Sequence, residues 1–235
     1  MSVQFAGACH DENGKYTGGK AGDQTGKEIR ITSAYKHSLG WRTFRYPKAN
    51  IAEAIGNNAK KIANNDNYGY DQGQRNTGYE ATKAADWDPD KVTTPCELDC
   101  SSDARTAIAC ALKKEVKDFT TANEASVLLS LGFEEVTGIK LSESKLGDVY
   151  VTKTKGHTEI VCSGSAASDD DTAYYTKYTG TSVSIVTALK SIGVTSTLAF
   201  RKKIAAANNI TPYTGTAAQN TKMLNLLKQG KLKKA

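Results

Sequence analysis

Between Ser163 and Ser182 the chain reads SGSAASDDDTAYYTKYTGTS, twenty residues with almost no aliphatic side chain. Such a segment has little with which to build a core element, so it reads as a linker. It divides the chain into a body (residues 1–163), a linker (164–181) and a tail (182–235). The tail carries nine Lys/Arg and no Asp or Glu, whereas the 181 residues ahead of it, body and linker together, hold 22 basic and 25 acidic side chains. A mildly acidic body with a strongly basic tail predicts a polyanionic partner: nucleic acid, anionic lipid or anionic wall polymer.

The composition, 39% apolar and 24% charged, is that of a globular protein and excludes collagen-like, disordered and disulfide-packed classes. No apolar run approaches the ~18 residues of a membrane span. The start, Met1-Ser2-Val3-Gln4-Phe5, has neither the basic nor the apolar region of a signal peptide, so synthesis in the cytosol is expected.

Within the body, the Gly-rich residues 7–30 predict turns around one strand near Glu28–Thr32. Ile51, Ala54, Ile55, Ala59 and Ile62 have helical spacing and predict a helix over 50–64. The polar stretch Asn65–Gly78 reads as a loop. A helix is expected to begin at or near Cys100, and another over 123–131 with Thr120 or Thr121 as its N-cap. Two short β-type runs, Asp148–Thr152 and His157–Val161, flank Lys153–Gly156 as a hairpin. In the tail, Ser184–Ile192, Thr197–Ala207 and Thr216–Gln229 predict three short helices ending at Gly193, Asn208 and Gly230. A bundle of ~50 residues lies near the lower limit for independent folding.

Five cysteines without a signal peptide predict reduced thiols rather than a disulfide framework. Cys96 and Cys100 are spaced CxxxC, but no second Cys/His pair with zinc spacing follows. Asp169-Asp170-Asp171 lacks the alternation of a calcium loop. Cys100 is the strongest chemical candidate, because a helix N-terminus stabilises thiolate and supplies amides for an oxyanion. A thiolate nucleophile needs a proton shuttle. His157, at the start of a strand, is one of only three histidines, with His10 and His37.

Taken together, these contexts carry a resemblance. Asp99-Cys100-Ser101-Ser102, then Leu146-Gly147-Asp148-Val149 and Gly156-His157-Thr158-Glu159-Ile160-Val161, resemble the nucleophile and histidine motifs of the NlpC-type papain-like cell-wall cysteine peptidases. The likeness is greatest to phage peptidoglycan amidohydrolases of endolysin type. Tyr70 and Arg75, in Tyr-Gly-Tyr-Asp-Gln-Gly-Gln-Arg, and the segment Gly22–Glu28 are similar to parts of that family ahead of the nucleophile. The resemblance spans roughly residues 20–162.

It implies an α+β papain-like domain with a small antiparallel sheet. Cys100 would attack a stem-peptide carbonyl or the muramoyl-L-alanine bond, and His157 would carry the proton. Asp99, Ser101, Tyr70 and Arg75 would contact substrate. No cofactor or metal is needed. The residue that orients the imidazole is open: the family position falls at Asp169–Asp171, Glu159 shares the His157 face at i+2, and Asp23 or Glu28 are further candidates. Glu159 ranks first.

The tail resembles, by position and architecture, three-helix wall-binding modules, with Arg201, Lys202 and Lys203 its densest basic cluster. The partners expected are peptidoglycan and anionic wall polymers, with no nucleic acid and no membrane insertion. The protein would collect in the host cytoplasm and then act at the wall. The competing reading is a non-catalytic polyanion-binding protein in which Cys100 is structural. In that version the tail, with only Phe200 and Tyr213 as aromatics, would contact nucleic-acid phosphates rather than stack on bases.

Overall fold

A computed structural model describes residues 2–166 and 174–235. The chain divides into two compact units, Met1–Glu135 with Ile139–Ala167, and Val136–Gly138 with Ser168–Ala235. The described residues form a mixed α+β structure with seven α-helices. None is long and apolar enough to cross a membrane.

The first unit is built on a six-stranded sheet. Its strands are β1 (Gln4–Ala8), β2 (Ile29–Ser33), β3 (Trp41–Arg45), β6 (Glu134–Val136), β7 (Val149–Thr152) and β8 (Thr158–Ser163), in spatial order β2-β1-β8-β7-β3-β6. The β1–β2, β1–β8, β7–β8 and β3–β7 pairings are antiparallel. Alternation sorts the side chains. Ala6, Ala8, Val149, Val151, Ile160 and Cys162 join the main core, while Phe5, Tyr150 and Val161 form a smaller cluster with Tyr35 and Trp41.

Two helices cover the main-core face. Helix α1 (Ala49–Ala63) buries Ala52, Ile55, Gly56, Ala59 and Ile62, one stripe of a 3.6-residue repeat. Helix α3 (Cys100–Leu112) is buried from Cys100 through Cys110, which suits its Ala-rich sequence to the centre of the unit. Gly147 explains its own place in the Gly-Asp motif. It has φ +84°, and a Cβ there would collide with the carbonyl of Ala52 in α1. The neighbouring Asp148 holds Arg45 through two 2.7 Å bonds. Both side chains are buried, so removing either partner would cost about 3–5 kcal/mol.

Several elements differ from the sequence expectations. Strands β1 and β3 carry no strand signal in the sequence, because the first lies at the terminus and the second, Trp-Arg-Thr-Phe-Arg, lacks a two-residue polar/apolar alternation. The stretch read as a loop over Asn65–Gly78 contains β4 (Tyr68–Tyr70), which pairs in parallel with β5 (Cys96–Leu98), and the start of α2 (Thr77–Ala84). Glycines and asparagines masked two buried tyrosines there, Tyr68 and Tyr70. Helix α4 (Glu124–Ser130) has Asn123 at its N-cap, not Thr120 or Thr121. The Asn123 side chain accepts from the Thr120 N–H at 2.9 Å, closing the turn ahead of the helix.

The second unit contains α5 (Ile185–Ser191), α6 (Leu198–Ala207) and α7 (Ala217–Gln229), capped by Ser184, Thr197 and Thr216. Gly230, at φ +71°, ends the last helix. Its core joins Ile185, Leu189, Ile204, Met223 and Leu227 to Tyr175 and Tyr178. Those two tyrosines stand in the stretch read as linker, where the lack of aliphatics hid their aromatic contribution. Arg201 is spent internally, bonding Tyr213 and Asn220, which leaves Lys202 and Lys203 as the exposed part of that basic cluster.

Candidate active site

Cys100 is the first residue of α3, one step beyond the end of β5. Asp99 caps that helix. Its Oδ1 accepts from the Ser102 N–H at 2.7 Å while the Ser102 hydroxyl accepts from the Asp99 N–H at 2.8 Å. Arg75 locks the cap from outside, donating to Asp99 at 2.7 Å, to Ser101 Oγ at 3.0 Å and to the Phe119 carbonyl at 2.6 Å. Asp99, Ser101 and Arg75, expected from the resemblance to touch substrate, therefore spend their polar groups on one another and on the helix start. They build the platform for Cys100.

The Asp103 N–H goes to the Asp99 carbonyl. The cap thus consumes the amides of Ser102 and Asp103, leaving those of Cys100 and Ser101 with no protein acceptor among the described residues. Two adjacent N–H groups at a helix N-terminus are the geometry that holds a developing oxyanion.

His157 stands immediately before β8. Its Nε2 lies 3.0 Å from Oε1 of Glu159, so the ring donates Nε2–H to the carboxylate and keeps Nδ1 as acceptor. The Tyr35 hydroxyl donates to the same oxygen at 3.0 Å. Glu159 is thus the carboxylate brought to His157. Asp23 and Glu28 are engaged elsewhere: Asp23 accepts the Glu28 N–H, and Glu28 accepts from the amides of Gln24 and Tyr70. Asp169–Asp171 lies outside the described residues.

A cleft of about 470 Å³ runs over these groups. Cys100, His157 and Tyr70 line it, as do residues that sequence reasoning did not place there: Cys9, Tyr16, Arg30 and Gln72. So do His10 and His37, and all three histidines of the chain therefore share one cleft. That scarcity was the one legible signal for them. Their tautomers follow from their bonds. His10 Nδ1 donates to the Asp11 carbonyl at 2.9 Å. His37 Nδ1 accepts from the Leu39 N–H at 3.1 Å, so its proton sits on Nε2. Burial, then nearby His157, push the His37 pKa down. Its ring lies 6.1 Å from that of His157 and 5.1 Å from that of Trp41.

The electrostatics correct one expectation. Despite the helix N-terminus, burial first, then the Asp99 and Glu124 carboxylates, push the Cys100 thiol well above its ordinary range. A bond from the Thr158 backbone opposes them only in part. The resting group is a thiol.

Below the cleft, Glu124 is fully buried. One oxygen accepts from Thr158 Oγ1 at 2.8 Å and the other has no partner among the described residues. Burial pushes it up to about 8, and Asp103 likewise to about 8. Both stay protonated in the folded state at pH values where the unfolded chain has released its proton. The stability these two groups contribute is therefore fully present below the unfolded carboxylate range of ~4 and is lost as pH rises towards 8. The melting temperature is expected to decline from pH 5 to 8, with a shallower slope in Glu124→Gln. A flat or rising profile in the parent would contradict this assignment.

Gly7, on β1, faces Glu159: a Cβ there would overlap the carboxylate. The obstructing atom is the end of a side chain, so Gly7→Ala is expected to fold but to displace Glu159. The His157 Nε2–H bond to Glu159 should be lost, read as a changed ring-nitrogen shift of His157, with the melting temperature close to the parent's.

A family model described as an endolysin-like domain (ELLD) matches residues 5–168, more than half of the chain. No curated protein and no solved structure matches.

Proposed function

The chain belongs to the endolysin-like domain family, and from that premise we propose that it is a cysteine peptidoglycan amidohydrolase of papain-like, NlpC type. The observation that supports this is the cleft that Cys100 and His157 both line, with the imidazole bonded to Glu159. The substrate carbonyl lies against Cys100 Sγ with its oxygen toward the amides of Cys100 and Ser101. As the C–S bond forms, Nδ1 of His157 takes the thiol proton and returns it to the leaving amine when the C–N bond breaks. Water, deprotonated by the same nitrogen, then splits the thioester to a carboxylate and the free thiol. Glu159 stabilises the imidazolium formed in each half-reaction. Tyr70 lines the substrate side, while Asp99, Ser101 and Arg75 act through the helix cap.

The tail, with nine basic and no acidic residues, is read as the anchor for anionic wall polymers such as teichoic acids. Residues 1–163 are the catalytic domain of this reading and 182–235 its binding module. The protein would wait in the host cytoplasm and reach the wall on lysis.

Mass spectrometry of muropeptides from purified Gram-positive walls tests the function. New amine and carboxyl ends are expected after incubation with the full chain, and their masses name the bond. Intact walls across several chemotypes would leave binding without catalysis as the reading to pursue.

A further inference from the structure

The chain has six arginines, and five of them are tied up. Arg42 pairs with Glu135, Arg45 with Asp148, and Arg75 with Asp99 and Asp118. Arg105 bonds the Val116 carbonyl and lies over the Tyr79 ring, and Arg201 bonds Tyr213 and Asn220. Arg30 alone has no hydrogen-bonded or ion-paired acceptor among the described residues. It is exposed on β2, and it lines the cleft that holds Cys100 and His157.

The cleft lining contains no carboxylate to neutralise it. The closest acid of the mechanism, Glu159, is already claimed by His157 and Tyr35. A guanidinium is a planar fork that cannot lose its charge near neutral pH, and its best-matched acceptor is a carboxylate taken in two parallel bonds. Held open beside a nucleophile, such a group selects substrate more than it stabilises the fold.

We infer that Arg30 is the specificity determinant of the cleft, docking a free carboxylate that the substrate carries near the scissile amide. This rests on the Cys100–His157 reading for where the scissile bond lies. Stem peptides with free side carboxylates are then substrates, and those in which the same groups are carboxamides are discriminated against. A carboxamide replaces one acceptor oxygen by an N–H donor, which faces the guanidinium donors and breaks the paired bonds.

The test uses the full chain carrying Cys100→Ala, so that binding is read without turnover. Calorimetric titration compares two synthetic stem peptides identical except for carboxylate or carboxamide. The carboxylate form is expected to bind about 10-fold or more tightly at low salt, with the preference shrinking as salt is added. Adding Arg30→Gln should bring the ratio of the two affinities close to one. Arg30→Lys, which keeps the charge but not the fork, should fall between. The Arg30 side chain is exposed, and circular dichroism of both variants verifies the fold.

Equal affinities with Arg30 present, a preference that survives Arg30→Gln, or binding of neither peptide would each overturn the inference. Turnover is scored separately with the parent protein. Walls cut without carboxylate preference would remove Arg30 alone. An Arg30-dependent preference in a protein that cuts no wall would instead remove the thiol mechanism.

Discussion

Cys100→Ala is expected to reduce the release of new peptide ends from purified walls by at least about 10⁴-fold, while the melting temperature moves little. The size follows from what a nucleophile contributes: without the sulfur no covalent intermediate forms, and what remains is orientation and the oxyanion amides. The fold should tolerate the change, because Ala suits a helix start and the cap is made by Asp99, Ser102 and Arg75. His157→Ala should cost a similar factor, and the double variant little more than either one, since the two residues act as a unit.

The raised thiol pKa adds a second readout. In the resting protein Cys100 should react with iodoacetamide more slowly at pH 8 than a small free thiol, because burial first, then the Asp99 carboxylate, hold the proton on sulfur. Fast alkylation would mean a preformed thiolate and a different order of proton transfer. Wall cleavage by Cys100→Ala at the parent rate would remove the thiol mechanism altogether.

Local rules made the helix ends legible. An Asp-Cys-Ser-Ser sequence ahead of an Ala-rich run places a cap and a cysteine together at a helix start, and Ser184, Thr197 and Thr216 announce the tail helices in the same way. The His157–Glu159 pair was legible because two residues apart on a strand means one face. What was hidden depends on contacts far apart in the chain. Tyr35 reaches Glu159 across 124 positions, and Arg30, His10 and His37 enter the cleft from the N-terminal strands and loops, with no local pattern to mark them. Arg75 shows partners that its sequence position does not announce: its donors go to Asp99, Ser101, Asp118 and the Phe119 carbonyl. The same arithmetic of donors and acceptors, applied to all six arginines, singles out Arg30. Sequence composition could not do this, since it counts charges without their partners.

Glu159→Ala is expected to lower kcat about 10³-fold with KM close to the parent's. The carboxylate touches the far nitrogen of His157 and not the substrate, so its loss affects the transition state and leaves ground-state binding alone. Three effects combine: the tautomer with Nδ1 free is no longer enforced, the ring is free to turn, and the imidazolium loses its counter-charge. Variants separate them. Glu159→Gln keeps the side-chain length and restores part of the orientation without the charge, so its kcat should lie between those of Glu159→Ala and the parent. Tyr35→Phe removes one donor from the carboxylate and leaves His157 paired, so a loss of about 10-fold or less is expected. A merely structural Glu159 would show the opposite pattern. Melting temperature and KM would shift together with kcat, and Glu159→Gln, nearly isosteric, would recover all three.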